Sequence, residues 1–251
     1  MSTPAPLDLV PTPEHLDPVE VLSLARVLLD SVKDRSRPGA LRVYRPAPTA
    51  AFGARDRFLP GFPEAVEAAR THGFTPVLRS LGGRIALYHP GSLVIDHIEP
   101  ANDVLGGTQS RFREFGLAYT EVLRQAGADA RLGEIPGEYC PGEYSINVAG
   151  RIKAVGTAQR VTNRGWLFSS SVIVEDGARI RAALTDIQAA LGVEWNPETA
   201  GSIDEIHPGI TVERVEESFL AHFGTEHELH PAQVTAAELS ALGGFDGRHR
   251  V

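Results

Sequence analysis

The stretch YSINVAGRIKAVGTAQRVTNRGWLFSSSVIV, Tyr144–Val174, decides the fold. It divides into three runs, Tyr144–Ala149, Ile152–Val161 and Gly165–Val174, each alternating or rich in β-branched residues and bounded by Gly or Asn, which is the pattern of short strands. The junctions Val148–Ile152 and Val161–Gly165 leave room only for tight turns, so the three runs read as antiparallel neighbours. Working outward, Thr75–Arg79, Arg84–His89 and Ser92–Ile98 carry similar signals, and Ala40–Arg45 reads as one more strand. On the N-terminal side, Val21, Leu22, Ala25, Leu28, Leu29 and Val32 fall at helical spacing over Asp17–Asp34, with Asp17 as cap and Pro18 in the first position. Helices are also expected at Pro63–His72 and at Thr108–Ala126, where Phe112, Phe115, Tyr119, Val122 and Ala126 share a face and Gly127 stops the helix. Three more are expected near Ala178–Leu191, Thr211–Phe223 and Pro231–Leu242. Clustered strands with helices before and after predict an α+β fold in place of a regular βαβ alternation.

Bulk properties narrow the function classes. The chain has 251 residues, 42% hydrophobic and 22% charged, enough for one large core or a domain with a small appendage. A net charge of -8 without any Lys/Arg-rich run argues against nucleic acid or an anionic membrane as the main partner. The start, Met1–Val19, has neither the basic head nor the apolar core of a secretory signal, and no stretch approaches the roughly 18 apolar residues of a spanning helix. A single cysteine allows no internal disulfide, which fits a cytoplasmic protein. No internal repeat and no glycine-rich phosphate loop is found, and no set of metal ligands is assigned. Residues 1–17 form a Pro-rich tail, read as extended or disordered.

Two side chains stand out chemically: the lone Cys140, and Lys153, one of only two lysines among 24 basic residues. Cys140 lies in GEYCPGE, Gly137–Glu143, a loop without periodicity. Free cysteine is often simply a small buried hydrophobe, whereas a loop thiol is available for chemistry. A thiolate forms readily only when something favours it below the ordinary pKa of about 8.5. Lys153 is the local cation, while Glu138 and Glu143 oppose thiolate formation. Lys153 is either an exposed strand lysine or a compact point charge aimed at an acyl carbonyl or phosphate. A third segment, Arg79–Asp96, combines a Gly pair, Tyr88-His89 and Pro90-Gly91. It reads either as a plain glycine-containing hairpin or as a wall along which backbone N–H groups approach a ligand.

Four segments taken in order resemble the superfamily of lipoate-protein ligase A, octanoyltransferases (LipM-type) and biotin-protein ligase catalytic domains. They are ALRVYRPAPTAAFG (Ala40–Gly53), RSLGGRIALYHPGSLV (Arg79–Val94), GRIKAVGTAQR (Gly150–Arg160) and AGSIDEIHPGITVERVEESFLAHFG (Ala200–Gly224). The resemblance implies an α+β domain with a mixed, largely antiparallel sheet flanked by helices. It further implies a catalytic domain over 18–200 and a C-terminal helical segment over 201–251 packed on the same domain. Lys153 matches the family's essential lysine. By the same matching, Arg79, Gly82, Gly83, Tyr88, His89 and Gly91 border an acyl pocket, and Gly156, Thr157 and Ala158 line its other wall.

Two chemistries occur in this superfamily. Transferases need no cofactor; they move an octanoyl or lipoyl group from an acyl carrier protein or lipoyl-bearing protein onto a cysteine, and then to a lysine of a lipoyl domain. Ligases use ATP and Mg to make an acyl-adenylate and need no cysteine. The LipM-type enzymes resemble this chain in placing the cysteine in the loop before the lysine strand, as Cys140 is placed before Lys153. The expectation is therefore an acyltransferase with Cys140 and Lys153 as catalytic residues; an ATP-dependent ligase and a non-catalytic acyl-binding homologue are the alternatives.

Overall fold

In a computed structural model that describes residues 5–101, 107–245 and 249–251, the Tyr144–Val174 stretch forms three adjacent strands of an eight-stranded sheet. The chain runs β1 (Ala5–Leu9), α1 (Pro18–Lys33), β2 (Ala40–Tyr44), β3 (Thr49–Phe52), α2 (Phe62–Thr71), β4 (Thr75–Leu78), β5 (Ala86–Tyr88), β6 (Ser92–Pro100) and α3 (Thr108–Gln125). It continues with β7 (Ala130–Leu132), β8 (Ile146–Val148), β9 (Ile152–Thr162), β10 (Gly165–Ile173), α4 (Gly177–Leu191), α5 (Ile203–Ile206), α6 (Val212–Glu226), β11 (His227–Pro231) and α7 (Ala236–Leu242). The large sheet has the order β11-β1-β2-β6-β10-β9-β8-β7, and β4-β3-β5 form a separate small sheet.

The predicted hairpins are present: β9 and β10 pair from Thr162↔Gly165 to Val155↔Val172, and β8 pairs antiparallel with β9. Among the described strands, parallel pairing joins β1 with β2 and β11, and β3 with β4, so the sheet system is mixed and largely antiparallel. The Pro-rich N-terminal stretch differs from a free tail, because its residues Ala5–Leu9 lie in register between β2 and β11, with Leu7 fully buried. The last segment also differs from the helical expectation. Residues 227–231 are a strand, and the helix expected from Pro231 begins at Ala236, where Thr235 and Glu238 form a capping box.

Helices cover both faces of the sheet. Tyr119, Phe219 and Phe223 from α3 and α6 pack on Phe168 and Trp166 of β10. On the opposite face, Leu24, Leu28 and Leu29 of α1 pack on Ile98 and Leu167, with Leu242 of α7 beside them. Asp17 caps α1 by accepting from Val19 and Glu20 N–H, as its position predicts. A third cluster joins α2 and α4 to Phe52, Ile85 and Tyr139; it fixes the relative position of the small sheet and the loop that carries Cys140. No helix among the described residues is long and apolar enough to cross a membrane.

Candidate active site

The loop between β7 and β8 is closed at its neck by Gly133 N–H donating to Ser145 O (2.8 Å). Tyr139 anchors its middle: the ring is buried, stands edge-on to Trp195 at 6.1 Å, and Gln188 Nε2 donates to its carbonyl at 3.2 Å. With Tyr139 held in the α4 cluster and Cys140 packed against the margin of that cluster, Glu138 and Cys140 are fixed in position. They meet β9 at Lys153 and the segment Arg79–Ile85 at the edge of a cavity of about 490 Å³.

Lys153 is only 4% exposed, and Glu138 only 3%. Lys153 Nζ donates to Glu138 Oε1 at 2.7 Å and to the backbone carbonyl of Cys140, and it lies 5.2 Å from the centroid of the Tyr139 ring. Glu138 also accepts from Ser145 Oγ (2.8 Å) and Ile135 N–H (3.2 Å), so both oxygens of the buried carboxylate are hydrogen-bonded. An ammonium has three donors; two are spent on the Cys140 loop, and the third belongs to a side chain that lines the cavity. The negative charge expected to oppose a thiolate is thus neutralised by Lys153 in the case of Glu138, and Glu143 is exposed.

Cys140 is half-buried, with its Sγ 3.5 Å from the N–H of Arg84. That N–H belongs to the glycine loop, whose shape has two local causes. Gly53 lets the loop come close, since a Cβ there would lie 2.0 Å from Gly83 O. Gly83 has φ +94°, a conformation that costs a side-chain-bearing residue about 1–2 kcal/mol. A methyl group at Gly83 would also sit 2.5 Å from Arg79 Nη2 and 3.5 Å from Cys140 Sγ, so thiol and guanidinium flank one open backbone position. Arg79 donates back to the carbonyl of Arg84, and Asp56 holds the loop by accepting from Gly53 N–H at 2.9 Å and pairing with Arg84 at 3.3 Å.

Of the residues read from sequence, Cys140, Lys153, Arg79, Gly82, Gly83, Tyr88, Gly156, Thr157 and Ala158 all line this cavity. His89 and Gly91 do not. His89 is buried, its Nδ1 accepts from Gly91 N–H at 2.8 Å, and Gly91 O accepts from Val174 and Glu175 N–H. The two residues build the turn from β5 to β6. Burial holds the His89 imidazole below its ordinary pKa, against the pull of Asp176. Tyr88, the preceding residue, takes the opposite direction and faces the cavity; burial raises its hydroxyl pKa. Sequence reasoning missed Glu138 as the partner of Lys153, and also Ser145, Ser169, Ser171, Phe112 and Tyr144, which complete the wall. The proximity of Glu138 to both Cys140 and a rare lysine was the available signal.

The sequence matches the family described as "Lipoyl protein ligase A/B catalytic domain" over residues 17–224. Among curated relatives, the chain is 28% identical over 180 residues to an octanoyl-[GcvH]:protein N-octanoyltransferase of Exiguobacterium sibiricum, covering 66% of this chain and 64% of that protein. It is 30% identical over 136 residues to the protein of that name from Geobacillus kaustophilus, covering 54% of this chain and 48% of the relative. The chain thus spans between about half and two thirds of the length of these relatives. Among solved structures, it is similar in fold to a lipoate-protein ligase A bound with ATP, with TM-score 0.75 at 18% identity, covering 98% of this chain and 95% of the other.

Proposed function

Because the chain belongs to the lipoyl protein ligase A/B catalytic domain family, we propose that it transfers an octanoyl group, by way of a thioester on Cys140, to a lysine of a lipoyl-domain protein. The single observation that carries this reading is that the only thiol and the buried lysine share one cavity, with Lys153 Nζ bonded to the backbone of Cys140 itself. The names of the relatives support the substrate class: they contain GcvH and an N-octanoyl transfer.

The chemistry proceeds in two halves. Cys140 gives up its proton, and Sγ attacks the octanoyl carbonyl of the donor; the C–S bond forms as the bond from carbonyl to leaving group breaks, and the leaving group takes a proton. The acceptor lysine amine then attacks the thioester. A C–N bond forms, the C–S bond breaks, and the proton lost by the amine passes to the released sulfur, so that the thiol is regenerated. Dividing the transfer this way replaces one difficult displacement by two easier ones. Arg84 N–H, Arg79 and the remaining Lys153 donor stabilise the negative charge on Sγ and on the tetrahedral oxygen. Lys153 also positions the nucleophile by holding its carbonyl. The cavity volume falls in the 300–1,000 Å³ span of small-molecule sites, and Leu81, Ile85 and Phe112 give the acyl chain apolar contacts.

On this reading the transfer needs neither nucleotide nor metal, because the acyl group arrives already bonded to its carrier. The Lys153–Glu138 pair supports it, since an adenylate phosphate at Lys153 would meet a buried carboxylate 2.7 Å from the ammonium. A working thiol nucleophile also fits the reducing cytoplasm.

The test is intact-protein mass after incubation with octanoylated GcvH, and separately with octanoyl acyl carrier protein. One octanoyl group labile to hydroxylamine should appear on the parent and be absent from Cys140→Ser. Transfer to a fresh lipoyl domain should fall by about 10³-fold or more in that variant. Full transfer by Cys140→Ser, with no thioester on the parent, refutes the mechanism. Pyrophosphate release dependent on lipoate or octanoate and ATP would establish the ligase chemistry instead.

A further inference from the structure

On the face of β6 turned away from the cavity, two histidines and a carboxylate converge on one point. Ser169, which lines the cavity, donates to Asp96 at 2.6 Å. The next residue, His97, therefore projects from the opposite face, and Glu99 follows it on that same face. His227, at the junction of α6 and β11, completes the group. One ligand atom from each of the three residues lies within 4.8 Å of the others. Glu99 Oε1 is 2.7 Å from His97 Nε2 and 3.9 Å from His227 Nε2.

The environment of His97 gives a second, independent sign. The side chain is 1% exposed, and neither ring nitrogen has a hydrogen-bond partner; Nδ1 of His227 is also buried and unpartnered. Buried polar atoms in folded proteins are nearly always satisfied. Among the described residues, the one polar atom close to His97 is the Glu99 oxygen at 2.7 Å from Nε2, and nothing reaches Nδ1 of either histidine. Around His97 stand Trp166 at 4.9 Å and Phe115 and Phe223 each at 5.2 Å. These rings fix the imidazole in place, and none of them supplies a hydrogen-bond acceptor.

We propose that His97, Glu99 and His227 bind one divalent transition-metal ion of the zinc type. Two imidazole nitrogens and one carboxylate are a donor set suited to zinc, cobalt or iron, and they leave a fourth position for water. In a tetrahedral site with bonds of about 2.0–2.1 Å, ligand atoms stand about 3.3 Å apart. The present separations of 2.7 and 3.9 Å straddle that value. Glu99 and His227 are partly exposed, with side-chain exposures of 26% and 12%, which gives an ion its way in. The nearby cation, Arg111, is held aside: it donates to Gln159 at 2.8 Å and lies over the Trp166 ring at 4.5 Å. The ion would fasten the α6–β11 junction to the middle of the sheet. None of the three residues lines the cavity, so the ion serves the fold and stands apart from acyl transfer.

The experiment uses the full untagged chain carrying Cys140→Ser, so that the thiol cannot compete, stripped with chelator and titrated with Zn²⁺ by calorimetry. One equivalent should bind with micromolar or tighter affinity. At a hundredfold excess over Kd the thermal midpoint should rise by about 5–10 °C. Co²⁺ should give the intense visible absorption of a tetrahedral site. His227→Ala and Glu99→Gln, whose partly exposed positions tolerate substitution, should each weaken binding by at least about tenfold. In proteins that keep Cys140, these two changes should leave the rate of octanoyl transfer unaltered. Absence of stoichiometric binding, or binding that survives both substitutions, overturns the proposal; circular dichroism of each variant separates loss of ligand from loss of fold.

Discussion

Replacing Glu138 by glutamine tests the central electrostatic arrangement, because it keeps the shape of the side chain and removes only its charge. Lys153 would then stand 4% exposed without a counter-ion. Removing one partner of a buried ion pair costs about 3–5 kcal/mol, chiefly through the charge left stranded. For a chain of this size, each kcal/mol moves the thermal midpoint by about 2–4 °C, so the variant should melt about 6–20 °C lower. The complementary change isolates the cause. Lys153→Met leaves Glu138 with its bonds from Ser145 and Ile135, and adding Lys153→Met to Glu138→Gln removes the stranded ammonium. The double variant should therefore be more stable than Glu138→Gln alone, with a coupling of about 2 kcal/mol or more, although it should be inactive. Guanidinium denaturation followed by the fluorescence of Trp166 and Trp195 measures all four members of the cycle. If Glu138→Gln costs less than about 1 kcal/mol, or if the two changes are additive, the lysine is not held by the carboxylate in the way described.

Two further outcomes follow from the geometry. Gly83→Ala should lose most acyl transfer while destabilising the fold by about 1–2 kcal/mol, because alanine resists φ +94° and its methyl would displace Arg79 beside the thiol; transfer rate and denaturation midpoint check it, and retained activity would contradict the placement of the loop. Glu238 supplies a pH test: burial pushes its carboxyl up, but Arg37, Thr235 N–H and Ser31 pull it down to about 2 from 4.5. Since its folded pKa is the lower one, its contribution is complete above about pH 4.5 and is lost as pH falls toward 2. Denaturation midpoints measured across that window should fall less steeply for Glu238→Gln than for the parent.

Much of the fold was legible where contacts are local in sequence. β8, β9 and β10 follow one another through tight turns, so their alternation and bounding Gly and Asn residues carried the information; Asp17 and Pro18 did the same for α1. β1 and β11 were not legible, because their pairing joins residues more than two hundred positions apart, Ala5 with His227. Neither PLDL nor HELHP shows the β-branched alternation of a strand, and their extended form is imposed by the neighbours they pair with. The start of α7 was present in the text as Thr235 and Glu238, a capping box overlooked in favour of Pro231.

The site divides along the same line. Read as one strand, Tyr88 and His89 would point to opposite sides; β5 in fact ends at Tyr88, which faces the cavity, and His89 is drawn into the turn by accepting from Gly91 N–H. Glu138 shows the opposite case. Read along the chain, it is a negative charge two residues from a thiol and hence unfavourable to it. In three dimensions it is the carboxylate that Lys153 meets in its buried position at 2.7 Å, and the lysine in turn grips the carbonyl of Cys140. The requirement is for a single compact ammonium with donors in three directions, reaching a carboxylate, a carbonyl and the cavity. A guanidinium is a planar fork and cannot fill that position, which gives a physical reason why a chain that uses arginine at 22 of its 24 basic positions has lysine here. The rare amine and the rare thiol thus form one unit, in which Lys153 places Cys140 before either group meets a substrate.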